Sequence, residues 1–265
     1  MRAAMRAVMN FVCLNLASLV LLSVAGCVSF LPALDVDEVE FGKSFEGRAI
    51  SGAIVTGESL SWRDEDPGGA VGRGAGGRET ILVFAAIHGN ESLTEPLARR
   101  LVEELDARPE LARGKRVVVI YAANPDGFRN RTRGNARGVD LNRNFPASNW
   151  KERGERHGEE AASEPETRVL MEVVERFRPA RILSIHAPLH CVDWDGPAQG
   201  LARAMGKECG YPVKKVGYPT PGSFGSWAGV DRGIPVITFE LRRDLKASAL
   251  WTEAGPAVLA FVADD

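Results

Sequence analysis

The sequence has almost no excess of charge of either sign. Its 33 Lys and Arg residues face 35 Asp and Glu residues, which gives the 265 residues a formal net charge of −2. Proteins that hold nucleic acid through its phosphates carry a basic patch or stripe, and this charge balance offers none. Arginines cluster only in one short region, where a small substrate anion accounts for them more economically than a polymer of phosphates. We therefore predict no nucleic-acid partner.

The chain also lacks an apolar run that would cross a membrane comfortably, which takes about 20 residues. Its main candidate, residues 11–24, follows a basic MRAAMR segment and is followed by Ala-Gly-Cys27. That order is typical of an export signal, so we expect residues 1–27 to be a signal peptide. Small residues directly before Cys27 resemble a bacterial lipobox, which predicts a lipid anchor on Cys27 and an exported protein facing the periplasm or the cell exterior. The alternative is an ordinary signal peptide in which Cys27 is incidental.

Cysteine is scarce, with four in the whole chain. Cys13 would leave with the signal peptide and Cys27 would carry lipid, so Cys191 and Cys209 remain in the exported part. In an oxidising compartment these two thiols are able to form a disulfide, and two separate buried thiols are the alternative. We do not expect a cysteine to bind a metal, because histidine and glutamate side chains supply enough ligands.

The organisation along the chain is simple, because we find no internal repeat and no second domain. The composition, 45% hydrophobic and 26% charged, is that of a globular protein long enough for one good-sized core. We expect residues 28–40 to be a tether and residues 41–265 to form one catalytic domain. The Gly-rich residues 57–80 are predicted to form a surface loop between strands.

Strand and helix patterns then alternate. Apolar runs predict strands at residues 81–87, 116–122, 181–185 and 236–239. Helices are predicted at residues 93–105, from a capping box at 163–166 to about residue 177, and at 245–262, where Gly255-Pro256 must break or kink the helix. Alternating strands and helices predict an α/β domain with a mixed, largely parallel sheet flanked by helices.

Polar side chains stand at or just after the ends of these predicted strands. They are His88, Asn124, His186 and Glu240. In open α/β sheets, ligands bind at the carboxyl ends of the strands. Because four such residues meet at one edge of the predicted sheet, the sequence predicts a functional site there, and this prediction does not depend on any single motif.

Three of these edge residues suit a metal. His88 and Glu91 are three positions apart at a strand-to-helix turn, which places them on one side, and His186 ends another buried strand. Two histidines and one glutamate are the protein ligands of a catalytic zinc that keeps a fourth position for water, so we predict one Zn²⁺ per chain. The alternatives are a capping glutamate beside a surface histidine, and a core histidine whose hydrogen bonds are satisfied.

Glu240 ends the apolar segment VITF. Partial desolvation there raises the pKa of a carboxylate and makes it a better base. We predict that Glu240 takes a proton from the zinc-bound water and passes it to the leaving amine. The alternative is an ion pair with Arg242 or Arg243.

The segment GVDLNRNFP offers a substrate anchor. Arg143 presents a planar fork that grips a carboxylate, and Asn142 adds a donor. Arg133 is predicted to polarise the scissile carbonyl, with Arg131 as the competing candidate. Tyr218 heads a Gly/Pro-rich loop that either closes over substrate or is a structural turn. Together these residues predict zinc-dependent amide hydrolysis of a substrate with a free carboxylate.

At this point the chain resembles the zinc carboxypeptidase family. HGNE, NPDG, RTRGN, GVDLNRNFP, SIH and TFEL follow one another in that family's order over about residues 42–262. Within the family, NFPASNW, SEPET, HAPLHCVD and GYPTPGSFGSW are most similar to the murein peptide amidases, which hydrolyse the γ-D-glutamyl–meso-diaminopimelate bond of cell-wall peptides. The resemblance implies zinc ligands His88, Glu91 and His186, anchors Asn142 and Arg143, an oxyanion-side Arg133, a loop Tyr218 and the base Glu240. The better-known murein peptide amidases work in the cytoplasm, whereas an export signal points to the wall or its released fragments as substrate.

Three other functions compete with this one. A general metallocarboxypeptidase would act on ordinary C-terminal residues, although the lack of an acidic residue between Pro219 and Trp227 disfavours a preference for Lys or Arg. An acyl-amino-acid deacylase shares the HGNE element, but NPDG and GVDLNRNFP argue against it. A non-catalytic lipoprotein that binds wall peptides would be signalled by loss of Glu240 or of a ligand, and none is lost.

Overall fold

The computed structural model describes residues 34–57, 79–151 and 154–263. The predicted signal peptide with Cys27, the start of the tether and nearly all of the predicted Gly-rich loop lie outside these residues. Everything that the structure describes belongs to one compact unit, Leu31–Asp265. A search of the described residues for a helix with the length and apolarity of a membrane span finds none.

The described strands form one seven-stranded sheet with the order β1-β2-β4-β3-β5-β7-β6. The strands are β1 (Leu34–Lys43), β2 (Ala49–Gly57), β3 (Glu79–Ala85), β4 (Lys115–Ile120), β5 (Arg181–His186), β6 (Leu189–Asp195) and β7 (Val236–Arg242). Strands β4, β3, β5 and β7 are parallel to one another, while β1, β2 and β6 join antiparallel. The predicted α/β fold with a mixed, largely parallel sheet is confirmed.

Helices cover both faces of the sheet and make two apolar cores. The helices are α1 (Thr94–Ala107), α2 (Pro125–Asn130), α3 (Pro165–Phe177), α4 (Gln199–Cys209) and α5 (Leu250–Ala263). Buried side chains of α1, α4 and α5 fill one core, and α3 fills the other together with Phe145, Phe224 and Trp227. Because both faces are covered, β4 and β5 are buried at every position, which explains their continuous apolar runs.

The predicted tether is wrong for residues 34–40, because strand β1 begins at Leu34 and pairs with β2. The segment LDVDEVEF places acidic residues between apolar ones, and Asp35, Glu38 and Glu40 are exposed. Charge along an outer strand is how proteins protect an unpaired sheet edge. The same charges made this segment look like a solvated linker.

Two helix boundaries also differ from the prediction. Helix α3 begins at Pro165, but its N-cap residue is Glu164, which makes no capping side-chain hydrogen bond, so the predicted capping box does not form. Ser163 instead donates its hydroxyl to Glu164 at 2.8 Å. Helix α5 begins at Leu250 and continues through Pro256, which therefore does not end it. Proline there gives up one backbone donor without breaking the helix.

The turn between β1 and β2 is attached to helix α2 by one buried carboxylate. Asp126 accepts hydrogen bonds from the Ser44 hydroxyl at 2.8 Å, the Glu46 backbone N–H at 3.0 Å and the Arg48 guanidinium at 2.6 Å. Burial opposes ionisation, but these donors outweigh it and lower the pKa of Asp126. The Asp of the NPDG segment thus has a structural role.

The two cysteines of the described chain are free. Cys191 is buried in β6, and Cys209 lies half-buried at the end of α4. Burial raises the pKa of the Cys191 thiol to about 11, which keeps it protonated at neutral pH. The structure thus has two separate thiols, the alternative to a disulfide.

Candidate metal centre and substrate cavity

The carboxyl edge of the parallel strands brings the predicted site together. His88 follows β3, and His186 at the end of β5 pairs with Glu240 of β7 in the sheet register. Asn124, at the same edge, has another task. Its side chain accepts from the Gly127 backbone N–H at 2.9 Å and donates to the carbonyl of Ile87 at 3.3 Å. Asn124 therefore supports the loop that carries His88.

Glycine is required beside His88. A Cβ atom on Gly89 would lie 1.9 Å from the carbonyl carbon of Gly127, closer than real Cβ contacts allow. The loop after β3 and helix α2 therefore touch backbone to backbone. A Cβ atom on Gly127 would itself lie 2.5 Å from the carbonyl oxygen of Gly134, so the glycines of HGNE and NPDG are both required by packing beside the site.

His88, Glu91 and His186 form a buried group whose possible ligand atoms all lie within 4.8 Å of one another. Nδ1 of His88 is 2.7 Å from Oε1 of Glu91, and Nδ1 of His186 is 3.2 Å from Oε2 of Glu91. Oε2 of Glu91 is buried and makes no hydrogen bond within the part of the chain that the structure describes. Two imidazole nitrogens and a carboxylate that converge in this way have the donor chemistry of a zinc site, so the residues fit the predicted metal.

The charges of this group are strongly coupled. Burial would raise the pKa of Glu91, but His186 and His88 outweigh it and lower the pKa to about 2. Burial would lower the pKa of His88, but the carboxylates of Glu91 and Asp140 outweigh burial and raise it. A divalent ion bound here would take the place of the protons on the ring nitrogens and face the carboxylate of Glu91.

The sequence analysis missed Asp140, the Asp of GVDLNRNFP. Its Oδ1 lies 3.1 Å from Nε2 of His88, and its Oδ2 accepts from Nε of Arg133 at 2.9 Å. Burial opposes ionisation, but the hydrogen bond and charge of His88 and the charge of Arg133 outweigh it and lower the pKa of Asp140. Histidines that bind metals usually donate their second ring nitrogen to such a carboxylate.

Glu240 is buried and faces the same cavity. Its Oε2 accepts from the Leu189 backbone N–H at 3.1 Å. Burial raises the pKa of Glu240; His186 lowers it and Glu91 raises it, with a net rise. Arg242, offered above as an ion-pair partner, pairs with Glu253 at 2.7 Å instead. Glu240 is thus a desolvated carboxylate beside the metal group.

Arg143 is half-buried and lines the cavity. Within the described chain the only hydrogen bond of its guanidinium goes to the carbonyl of Asn142 at 2.6 Å, and no carboxylate lies at ion-pair distance from it. Asn142 accepts from the Phe224 backbone N–H at 2.8 Å, which fixes the orientation of its amide. A guanidinium held in this way is ready to receive an anion.

The two remaining predicted residues are more exposed. The side chain of Arg133 is 46% exposed and Tyr218 is 48% exposed, and both line the cavity. Arg131 ends helix α2 in the left-handed conformation, with φ at 57°, and is not among the cavity residues. The geometry therefore places Arg133, rather than Arg131, at the cavity.

Apart from Asn124, all predicted site residues line one cavity of about 410 Å³. Further residues of this cavity were not expected from the sequence. They are Ser184, Asp193, Asp195, Lys215 and Thr238. Asp193 and Asp195 come from β6, outside the segment between positions 219 and 227 from which the specificity for charged side chains was predicted. Their spacing of two in HCVDWD was the signal, because alternate residues of a strand share a face.

A profile of the zinc carboxypeptidase family matches residues 35–192. The match spans more than half of the chain, so the protein belongs to the zinc carboxypeptidase family and is a hydrolytic, zinc-dependent metallopeptidase. Over 183 residues it is 38% identical to murein peptide amidase A of Escherichia coli K12, covering 63% of this chain and 72% of that protein. Over 139 residues it is 40% identical to murein peptide amidase A of Vibrio campbellii, covering 46% and 55% of the two chains.

Solved structures give the same result. The crystal structure of a murein-tripeptide amidase from Escherichia coli O157 aligns over 88% of this chain and 94% of its own, with a TM-score of 0.66 and 29% identity. Carboxypeptidase A from Helicoverpa armigera aligns over 86% of this chain and 69% of its own, with a TM-score of 0.67 and 20% identity, which supports the fold alone. The predicted family and enzyme class are confirmed.

Proposed function

We propose that this enzyme hydrolyses the amide bond between γ-D-glutamate and meso-diaminopimelate in peptidoglycan-derived peptides. The observation that carries the proposal is Arg143, a half-buried guanidinium without a carboxylate partner, in one cavity with the His-Glu-His group and Glu240. Diaminopimelate offers that guanidinium a free α-carboxylate. The names of the two amidase relatives support the same substrate class.

His88, Glu91 and His186 would hold one zinc ion. When bound, zinc lowers the pKa of a water molecule and polarises the scissile carbonyl. Asp140 fixes the ring of His88 from the opposite side, and burial of all three ligands keeps bulk water from competing with them. The metal site is thereby built before substrate arrives.

Arg143 and Asn142 orient the substrate. The Arg143 fork binds the α-carboxylate of the residue that leaves, and the Asn142 amide donates a further hydrogen bond. Holding the carboxylate fixes how far the substrate enters the cavity and presents its amide bond to Glu240. Tyr218, on an exposed loop at the cavity, closes over the bound peptide and limits the access of solvent.

Glu240 moves the proton. A carboxylate oxygen of Glu240 accepts a proton from the attacking water and then donates it to the nitrogen of the leaving amine. Arg133 donates a hydrogen bond to the carbonyl oxygen as negative charge develops there, while its Nε remains on Asp140. Proton transfer and charge stabilisation therefore come from two side chains of the same cavity.

A general metallocarboxypeptidase is the second candidate function. The anchor for an α-carboxylate serves any C-terminal residue, so Arg143 alone does not select diaminopimelate. The two functions differ in the bond that is cleaved, since one is a γ-glutamyl amide and the other an ordinary peptide bond. A substrate comparison separates them.

The test incubates the purified, zinc-loaded protein with L-Ala-γ-D-Glu-meso-diaminopimelate and measures free diaminopimelate by mass spectrometry. The proposal predicts release that a zinc chelator abolishes and that added zinc restores. Hydrolysis of ordinary C-terminal dipeptides without release of diaminopimelate would move the protein to the second candidate. Tight binding of the tripeptide with no hydrolysis of either substrate would instead favour a wall-peptide-binding protein.

We further propose that the enzyme is exported and anchored through a lipid on Cys27. The support is the sequence of residues 1–27 alone, with its basic start, short apolar run and small residues before the cysteine. Labelling of the cells with a fatty acid tests this. The wild-type protein should carry the label and be found in the membrane fraction, whereas the Cys27→Ser protein should be unlabelled. Equal labelling of the two proteins would refute the anchor.

A further inference from the structure

The cavity continues past the metal group into a polar end built by three neighbouring strands. Ser184 of β5 pairs with Thr238 of β7, which in turn pairs with Asp193 of β6. Ser184 and Thr238 stand two positions before His186 and Glu240 along β5 and β7, so they share the face of the sheet that carries the metal group, and Asp193 lies beside Thr238. The polar end therefore lies on the same face of the sheet as the metal group and lines the same cavity as Arg143.

Asp195 is the distinctive residue of this polar end. A Cβ atom on Gly225 would lie 2.0 Å from Oδ2 of Asp195, and one on Gly229 would lie 2.5 Å from its Cβ. A larger residue at position 225 would therefore meet the carboxylate itself, and one at position 229 would meet the Cβ and backbone of Asp195. Oδ1 of Asp195 lies 3.2 Å from Nζ of Lys215, whereas Oδ2 has no donor among the described residues.

Charge at the polar end does not balance. Nζ of Lys215 contacts Oδ1 of Asp193 at 2.8 Å, Oδ1 of Asp195 and the carbonyl oxygen of Trp194, which occupy its three donors. Asp193 also accepts from the backbone N–H of Trp194 at 2.6 Å and of Val216 at 3.0 Å. Two carboxylates thus share one ammonium, and Oδ2 of Asp195 is the carboxylate oxygen that no donor of the described residues reaches.

Two further observations point to a cationic ligand. The hydroxyl of Ser184 is buried, lines the cavity and has no hydrogen-bond partner among the described residues. Burial raises the pKa of Asp195; Lys215 lowers it, and Asp193 raises it. A cationic group bound at Asp195 would offset the net negative charge of this end of the cavity.

We propose that Asp195 is a specificity-determining residue that binds an ammonium group on the side chain of the residue whose α-carboxylate Arg143 holds. The proposal rests on the proposed function for the orientation of the substrate. It goes further in naming the chemistry of the side chain. Diaminopimelate and lysine carry such an ammonium, whereas norleucine has a similar length and no charge.

The test compares tripeptides L-Ala-γ-D-Glu-X, in which X is meso-diaminopimelate, L-lysine or L-norleucine, with the zinc-loaded enzyme. A charged hydrogen bond of this kind is worth about tenfold to a hundredfold in kcat/KM. Wild type should prefer the first two by that factor, mainly through KM, and Asp195→Asn should abolish the preference. Asp106→Asn removes an exposed charge on α1 and should keep it.

The Gly225→Ala variant provides a second test, in which the negative charge of Asp195 is retained. The added Cβ must displace the Asp195 carboxylate, so this variant should also lose the preference for an ammonium. Circular dichroism and thermal unfolding check that each variant is folded. An unchanged preference in folded Asp195→Asn, or a wild type that takes norleucine as well as lysine, would overturn the proposal.

A binding measurement separates this proposal from the proposed function. Calorimetry with free L-lysine and L-norleucine measures the affinity of the pocket for each amino acid, and no bond is cleaved in this assay. If wild type binds lysine better and Asp195→Asn does not, the role of Asp195 stands even where the γ-glutamyl tripeptide is not hydrolysed. If the tripeptide is hydrolysed but neither assay depends on Asp195, the proposed function stands and this inference fails.

Discussion

Nε2 of His88 lies 3.1 Å from Oδ1 of Asp140, while Nδ1 of the same ring lies 2.7 Å from Glu91 in the metal group. The imidazole is therefore held from both sides. Asp140 also receives Nε of Arg133 at 2.9 Å. One carboxylate thus positions a proposed zinc ligand and the side chain proposed to stabilise the oxyanion.

The first prediction concerns this carboxylate. Asp140→Asn removes the charge that holds the second ring nitrogen of His88, so zinc affinity should fall about 10–100-fold. Competition with a chromogenic chelator at pH 7.5 measures the affinity directly. Asp106→Asn, an exposed substitution of the same kind, should leave zinc affinity unchanged. Equal zinc affinity in Asp140→Asn and wild type would show that His88 does not depend on Asp140.

The second prediction concerns the substrate anchor. Arg143→Met removes the fork that binds the α-carboxylate, and kcat/KM for the proposed tripeptide should fall about 10–100-fold. Wild type should lose a similar factor when the C-terminal carboxylate is replaced by a carboxamide. Combining the variant with the carboxamide should cost little more, because both changes remove one interaction. Fully additive losses would place the carboxylate elsewhere.

The third prediction concerns the turn between β1 and β2. Asp126→Asn removes the charge that Ser44, Glu46 and Arg48 surround, and the free energy of unfolding should fall by about 2–3 kcal/mol. Urea unfolding at neutral pH measures this. Asp106→Asn should change stability by less than about 0.5 kcal/mol, since it is an exposed substitution.

The contribution of Asp126 should also depend on pH. Its pKa is lower in the folded chain than in the unfolded chain, so the unfolded state takes up a proton first as the pH falls. The stabilisation is fully present above the ordinary Asp pKa of about 3.9 and disappears as the pH falls through the lower folded value. The difference between wild type and Asp126→Asn should therefore shrink between pH 5 and the lowest pH at which both still fold. A constant difference would rule out this role.

The sequence allowed the central part of the fold to be predicted for a physical reason. Strands β3, β4, β5 and β7 are covered on both faces, so they appear as apolar runs, and the site residues follow their ends. The outer strands β1 and β6 carry acidic residues between apolar ones, and no strand was predicted for either. A search for apolar runs therefore does not find the two outermost strands of the sheet.

Residues that support the site were harder to predict than residues that line it. His88, His186 and Glu240 stand out because a polar residue ends an apolar run. Asp140 sits within a polar loop, where nothing in the local pattern indicates that it faces His88 from 52 positions away. The role proposed for Asp195 could not be predicted from the sequence, because it is argued from the close approach of Asp195 to Gly225, which exists only in the folded chain.

The central claim is that Glu240 serves as the base beside a zinc held by His88, Glu91 and His186. The most direct test measures zinc content and tripeptide hydrolysis together in wild type and Glu240→Gln. Both proteins should hold one zinc per chain, and the variant should lose about 10²–10⁴-fold in kcat, the usual contribution of a general base. A Glu240→Gln protein that keeps its zinc and most of its turnover would contradict the account.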